Sequence, residues 1–187
     1  MARILQFKIT LLEIQPPVWR RFEVTDDIMF YDLHLIIQQV MGWKNEHLYQ
    51  FVFDKNNFIG DPDMLEEGGD EVADDTETEV AAIMDTVESS IIYEYDFGNG
   101  WRHDVVLEKI SVKKSSHHLP YCLEGANNCP PEDCGGPPGF YNLMNKLNNE
   151  KHPEHQNIRE WLGKPYDPAH FNPAVVNRKL KDMEDFE

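Results

Sequence analysis

Residues 91–107 read Ile-Ile-Tyr-Glu-Tyr-Asp-Phe-Gly-Asn-Gly-Trp-Arg-His-Asp-Val-Val-Leu, and this stretch decides the fold. Apolar and polar side chains alternate on both sides of Gly98-Asn99-Gly100. A period of two marks half-buried strands, and Asn-Gly between them marks a turn that needs positive φ. The stretch is therefore an antiparallel hairpin, with strands over about 91–97 and 101–112. Alternation puts Tyr93, Tyr95 and Phe97 on one face and Glu94 and Asp96 on the other. Trp101 and His103 likewise share a face opposite Arg102 and Asp104.

Working outward, Leu5, Phe7, Ile9 and Leu11 alternate with Gln6, Lys8 and Thr10, which predicts another half-buried strand. Pro16-Pro17 breaks it, and residues 18–24 return as a strand with Trp19 expected as a core aromatic at the bend. Over 30–41 the period switches. Leu33, Ile36, Ile37, Val40 and Met41 share one helical face, and Gly42 sits where a C-cap glycine belongs. His34 lies beside that apolar stripe and reads as a satisfied buried histidine. Residues 48–53 and 58–59 read as strands, 80–87 as a short helix, and 140–147 and 157–162 as helices. The last helix spans 172–183, with Asn172 as N-cap and Pro173 at its first position. The fold class is α+β. A mostly antiparallel sheet comes from the first two thirds of the chain, packed with helices at about 30–41 and in the C-terminal third.

The chain of 187 residues has 34 acidic and 17 basic residues and a formal net charge of −17. Phosphate contacts need clustered Lys and Arg, so nonspecific nucleic-acid binding is disfavoured, as is an anionic membrane. An unknown protein or a small ligand is the expected partner. Between Lys55 and Arg102 there is no basic residue, and Asp61 to Asp96 holds fourteen acidic ones. The densest part, within about 61–79, reads as a mobile solvated segment of a single domain spanning 1–187. No apolar run approaches the ~20 residues of a membrane span. The N-terminal residues lack the apolar core of a signal peptide, and three cysteines do not make a disulfide framework. The expected compartment is the cytoplasm.

Residues 129–139 read Cys-Pro-Pro-Glu-Asp-Cys-Gly-Gly-Pro-Pro-Gly. Four prolines and three glycines in eleven residues predict a stiffened loop throughout, since neither helix nor central strand tolerates that composition. Taken together, YEYDFGNGWRH and CPPEDCGGPPGF resemble the plasmid pRiA4b ORF-3-like family. Pro17-Val18-Trp19-Arg20-Arg21, Leu33-His34, Gly42-Trp43, His47-Leu48, Asp167-Pro168-Ala169-His170-Phe171, Asn177 and Leu180 carry the resemblance further. It covers about residues 3–181. One departure is Asn99, where the family usually has Asp. Some family members carry a transposon-resolvase label through association with mobile elements. The resemblance brings no catalytic residue with it.

Four constellations can carry chemistry. Cys122, Cys129 and Cys134, with His103, His117 or His118 as a fourth ligand, offer a zinc site, although the spacing lacks the short Cys-x2-Cys knuckle. Asp96, His103, Asp104, Glu132 and Asp133 lie in the two special motifs and suit a hard divalent ion or acid–base work if the motifs meet. A structural tie between hairpin and loop explains the same residues. Ser89-Ser90 and Ser115-Ser116 lack the arginines a serine-type resolvase needs, Arg20-Arg21 being the only close pair. Cys134 has no fixed histidine partner as a nucleophile. Finally, Trp19, Trp43, Trp101 and Tyr95 suit either a binding groove or the core. The candidate surface is Tyr95, Asp96, Asn99, Trp101, Arg102, His103, Glu132 and Asp133. It supports two readings: a binding or accessory module, or a metal-dependent hydrolase or nuclease working from Asp96, His103, Glu132 and Asp133.

Overall fold

The structure is a computed structural model, and it describes residues 3–54, 57–65, 72–112 and 116–183. In chain order the elements are β1 (Ile4–Leu11), β2 (Trp19–Thr25), α1 (Phe30–Met41), β3 (Tyr49–Asp54), β4 (Asn57–Gly60), α2 (Pro62–Leu65) and β5 (Val72–Asp74). There follow α3 (Val80–Ile83), β6 (Ser90–Tyr95), β7 (Trp101–Ser111), β8 (Tyr121–Ala126), α4 (Gly136–Leu147), α5 (His155–Leu162) and α6 (Pro173–Met183). Among the described residues the strands form one eight-stranded sheet in the order β5-β4-β3-β6-β7-β1-β2-β8. Every pairing is antiparallel except β4 with β5. The class is α+β.

The long β7 is the backbone of the sheet. Its inner face buries Trp101, His103, Val105 and Leu107, against Phe7, Ile9 and Leu11 of β1 and Tyr93 and Tyr95 of β6. α1 covers this face with Phe30, Leu33, Ile36, Ile37 and Val40, and α6 adds Leu180. The other face is polar. Arg21 bridges Glu108 and Glu124, and Arg102 pairs with Glu94. One apolar and one polar face per sheet is what the period-two pattern requires.

Several expectations are corrected. The stiff stretch is not loop throughout, because α4 begins at Gly136 and takes Pro137-Pro138 into its first turn. Proline is tolerated there because the first-turn N–H groups have no intrahelical partner. Trp19 is only half-buried. Its ring faces solvent under Lys8 and Arg21, and Arg20 points inward in its place. The alternation also fails at the end of β6. Asp96 takes φ 57°, which ends the pleat, buries its carboxylate and leaves Phe97 45 % exposed. β8 and β5 carry no clear alternation and form as edges of the sheet. Of the acidic segment expected to be mobile at 61–79, residues 66–71 lie outside the described residues. The remainder carries α2, β5 and the turn before α3.

The β6–β7 turn closes on Asp96, whose carbonyl accepts the N–H groups of Asn99 and Gly100 at 3.0 and 2.7 Å. Gly100 holds φ +66°, whereas Gly98 does not need the left-handed region. Gly100→Val is therefore expected to destabilise by about 1–3 kcal/mol, the range for a β-branched residue forced to positive φ. Gly98→Val, whose Cβ would meet Asp96 at an ordinary 3.5 Å, is expected to stay close to the parent. Paired denaturant titrations check the difference.

Candidate functional site

Three connections meet at one end of the sheet: 42–48 between α1 and β3, the turn 96–100, and 127–135 between β8 and α4. Gly42 caps α1 in the left-handed region at φ 94° and turns Trp43 into the core. The Trp43 ring packs 4.9 Å from Tyr95, 5.9 Å from Trp101 and 5.1 Å from His103. Its indole N–H donates to the Pro130 carbonyl at 3.0 Å. The Lys44 N–H lies 3.2 Å from both Glu132 carboxylate oxygens. The Tyr95 hydroxyl donates to Glu132 at 2.6 Å and accepts the Glu46 N–H at 3.0 Å. Burial, and then the Glu132 carboxylate, push the Tyr95 phenol above its ordinary value, so it acts as a donor.

The turn touches the same loop. A Cβ on Gly136 would sit 2.2 Å from the Asn99 carbonyl oxygen. The hairpin motif and the proline-rich motif are thus packed against each other. Asn99 donates its N–H to the Asp96 carboxylate at 3.2 Å, and its side-chain amide to the same group. An Asp at position 99 has no amide to donate in this way.

His47 completes the corner. The Asp96 N–H donates to the Leu48 carbonyl at 2.8 Å, which holds the end of 42–48 beside the turn. His47 Nε2 lies 3.1 Å from Asp133 Oδ1 and 3.6 Å from Asp96 Oδ2. His47, Asp96 and Asp133 are the one group of His, Cys, Asp and Glu among the described residues whose ligand atoms all lie within 4.8 Å of one another. His47 belongs to the His47-Leu48 element of the family resemblance and lies outside the two long motifs. A lone histidine before a strand offers no local signal of its distant partners.

The other candidates divide. Asp96, Asn99, Tyr95, Glu132 and Asp133 belong to this corner. Arg102 does not: it lies half-exposed on the polar face with Glu94, as the alternation of β7 requires. His103 and Trp101 are fully buried. His103 Nδ1 is 3.2 Å from the Tyr93 carbonyl, and burial lowers its pKa to about 3, so it is a neutral core residue. The thiol set Cys122, Cys129, Cys134 and His103 forms no such ligand group among the described residues. Burial pushes the Cys122 thiol up to about 11 and the Cys134 thiol up to about 12, and Cys129 higher still. Burial disfavours the thiolate at each of these positions while no metal is bound. Of the four aromatic candidates, Trp43, Trp101 and Tyr95 are core. The accessible rings nearby are Phe97 in the turn, 45 % exposed, and Trp161 on α5, 49 % exposed.

A second buried histidine reads out the same core. His34 stacks on Tyr49 at 3.4 Å, and its ring nitrogens meet the Tyr93 hydroxyl and the Asn45 side-chain carbonyl at 2.8 Å each. Asn45 Oδ1 can only accept, so Nε2 carries the proton and Nδ1 accepts from Tyr93. Burial lowers the His34 pKa from 6.5 to about 4. With folded pKa values below the unfolded value, the unfolded chain takes up protons first. Both histidines' contributions are intact above pH 6.5 and are lost as pH falls toward 4 for His34 and 3 for His103. Stability is expected to fall by several kcal/mol in all between pH ~7 and ~4. Urea titrations at stepped pH check this, and His34→Gln should flatten the pH dependence.

Beside the corner lies a cleft of about 340 Å³, with Trp43, Lys44, Pro131, Glu132, Trp161 and Tyr166 among its lining residues. A larger cleft of about 770 Å³ along α5 includes no residue of either motif.

The fold and this corner define an α+β protein with one half-covered antiparallel sheet and one polar site made by its connecting loops. The model of the plasmid pRiA4b ORF-3-like protein family matches residues 3–175, and the chain belongs to that family. It is 36 % identical over 185 residues to the uncharacterized protein y4hQ of Sinorhizobium fredii, covering 98 % of this chain and 93 % of that protein. A crystal structure of a protein of unknown function from Methanosarcina mazei Go1 is similar, with a TM-score of 0.81 and 32 % identity. That match covers 93 % of this chain and 97 % of the other. Among the described residues no helix is long and apolar enough to cross a membrane.

Proposed function

We propose that the protein is a cytoplasmic binding or accessory module, associated through its family with plasmids and mobile elements, that takes a small ligand in the cleft beside the joined motifs. The observation that carries the reading is this cleft. Both its position and its walls depend on the proline-rich loop being clamped by Trp43, Lys44 and Tyr95, and its size suits a small molecule. Trp161 offers an apolar ring, and Lys44 and Lys164 offer cations in an otherwise acidic protein. An NMR titration with a fragment library tests it. The Trp161 and Trp43 indole signals and residues 130–133 should shift together. A library that leaves these signals unmoved removes the reading.

A second reading is metal-dependent hydrolysis. Asp96 and Asp133 approach each other, with His47 rather than His103 supplying the imidazole. Hydrolysis of a phosphodiester or ester reporter with added Mn²⁺, abolished by Asp133→Asn, would establish it; no turnover in either protein would end it.

Nonspecific nucleic-acid binding is not expected in either reading. With a net charge of −17, random duplex DNA should not bind at physiological salt. An anisotropy titration showing micromolar affinity that weakens steeply with salt would contradict this.

A further inference from the structure

The geometry points to a divalent-cation site at His47, Asp96 and Asp133, suited to a first-row transition ion such as Mn²⁺, Fe²⁺ or Zn²⁺. It lies on the surface assigned above to ligand binding, but it does not require that reading. Two donors that each stand about 2.1 Å from a shared ion are about 3.0–3.5 Å apart at octahedral or tetrahedral angles. Of the distances from His47 Nε2 to the two carboxylates, 3.1 Å falls within that spacing and 3.6 Å just beyond it, and all three donors lie within 4.8 Å of one another.

Two further observations favour an ion. His47 Nε2 is shut off from solvent and makes no hydrogen bond, although both carboxylates are near it. The atom faces the two oxygens without aligning on either, as a ligand to a shared ion does and a hydrogen-bonded ion pair does not. Asp96 is only 5 % exposed, and its partners at the carboxylate are Asn99 and His47. A buried carboxylate wants a compensating positive charge. No Lys or Arg among the described residues supplies one, and the second carboxylate within 4.8 Å raises the need.

The donor set selects the ion. One imidazole and two carboxylates suit Mn²⁺, Fe²⁺ or Zn²⁺. Ca²⁺ prefers six to eight oxygens, and soft ions prefer thiolates. Three protein donors leave coordination positions open, and the Asp133 side chain is 60 % exposed, so those positions face solvent.

The test is equilibrium dialysis and calorimetry on the full chain purified without chelator, at ~0.15 M salt to screen the acidic surface. Wild type should take up one Mn²⁺ per chain, displaceable by Zn²⁺, with weaker Ca²⁺ uptake. His47→Ala and Asp133→Asn should each weaken Mn²⁺ binding by about tenfold or more, since even lost outer-shell partners cost that much. Electron spin-echo modulation of bound Mn²⁺ should show one imidazole nitrogen, absent in His47→Ala. Asp133→Asn keeps the test open if His47→Ala does not fold, because its side chain is exposed. Absence of saturable uptake, or uptake that neither substitution changes, overturns the inference and assigns any bound ion to the acidic surface. A protein that binds Mn²⁺ but no small molecule in the cleft retains this site and loses the ligand reading.

Discussion

Arg20→Ala is expected to destabilise the protein by about 3–5 kcal/mol, since three buried carbonyls lose their donor at about 1–3 kcal/mol each, less what water recovers. Arg20 is 2 % exposed. Its guanidinium donates to the carbonyls of Val40, Trp19 and Ala126 at 2.8, 2.7 and 2.8 Å and stacks on the Phe171 ring at 3.9 Å. These contacts join β2, the end of α1, β8 and the segment before α6. Val40 lies in the last turn of α1, where unpaired carbonyls carry the negative end of the helix dipole. Burial lowers the Arg20 pKa, yet the group stays charged at any ordinary pH. Truncation leaves three carbonyls without donors and a void under Phe171. Arg20→Lys should recover little, because an ammonium cannot reproduce the planar fork or the stacking. Denaturant titrations of both variants give the result. A loss under ~1 kcal/mol would mean that water replaces the guanidinium without penalty, contrary to the stakes of burial.

Gly136→Ala should cost about 2–6 kcal/mol. Two effects add there. Gly136 holds φ +67°, which a side chain adopts at a cost of order 1–3 kcal/mol. Its Cβ would also lie 2.2 Å from the Asn99 carbonyl oxygen, forcing backbone apart at a further ~1–3 kcal/mol. Gly163→Ala is the control, since Gly163 shares φ +66° with nothing within 4 Å and should lose only about 1 kcal/mol. The difference between the two measures the contact between turn and proline-rich loop. Because that contact seats Asp96 near Asp133, Gly136→Ala should also weaken Mn²⁺ uptake. Equal losses at both positions would mean the motifs part without consequence.

The strands β1, β2, β6 and β7 and the helix α1 were legible because their signals are local. A period of two or of 3.6, a turn glycine and a C-cap glycine each act within a few residues. The two unusual motifs were also legible, since Pro and Gly restrict or free the backbone wherever they stand. The site was legible in part. Asp96, Asn99, Glu132 and Asp133 drew notice through their motifs. His47 carries no such signal, and Arg102 and His103 stand in the hairpin motif but outside the corner. What moved them is tertiary: a positive φ at Asp96, strict alternation along β7, and the clamp on Glu132 by Tyr95 and Lys44.

By itself the sequence determined the α+β class, the hairpin around Gly98-Asn99-Gly100, the helix over residues 30–41 and the family, all set by residue types a short distance apart. Only the tertiary structure decided that an arginine rather than Trp19 is buried on β2, that α4 starts inside the proline-rich stretch, and that Cys122 and Cys129 are buried. It also decided that His47 stands between carboxylates from two other loops. These outcomes depend on which distant surfaces close over one another, and on whether a buried charge finds a partner there. Neither is encoded in the spacing of neighbouring residues.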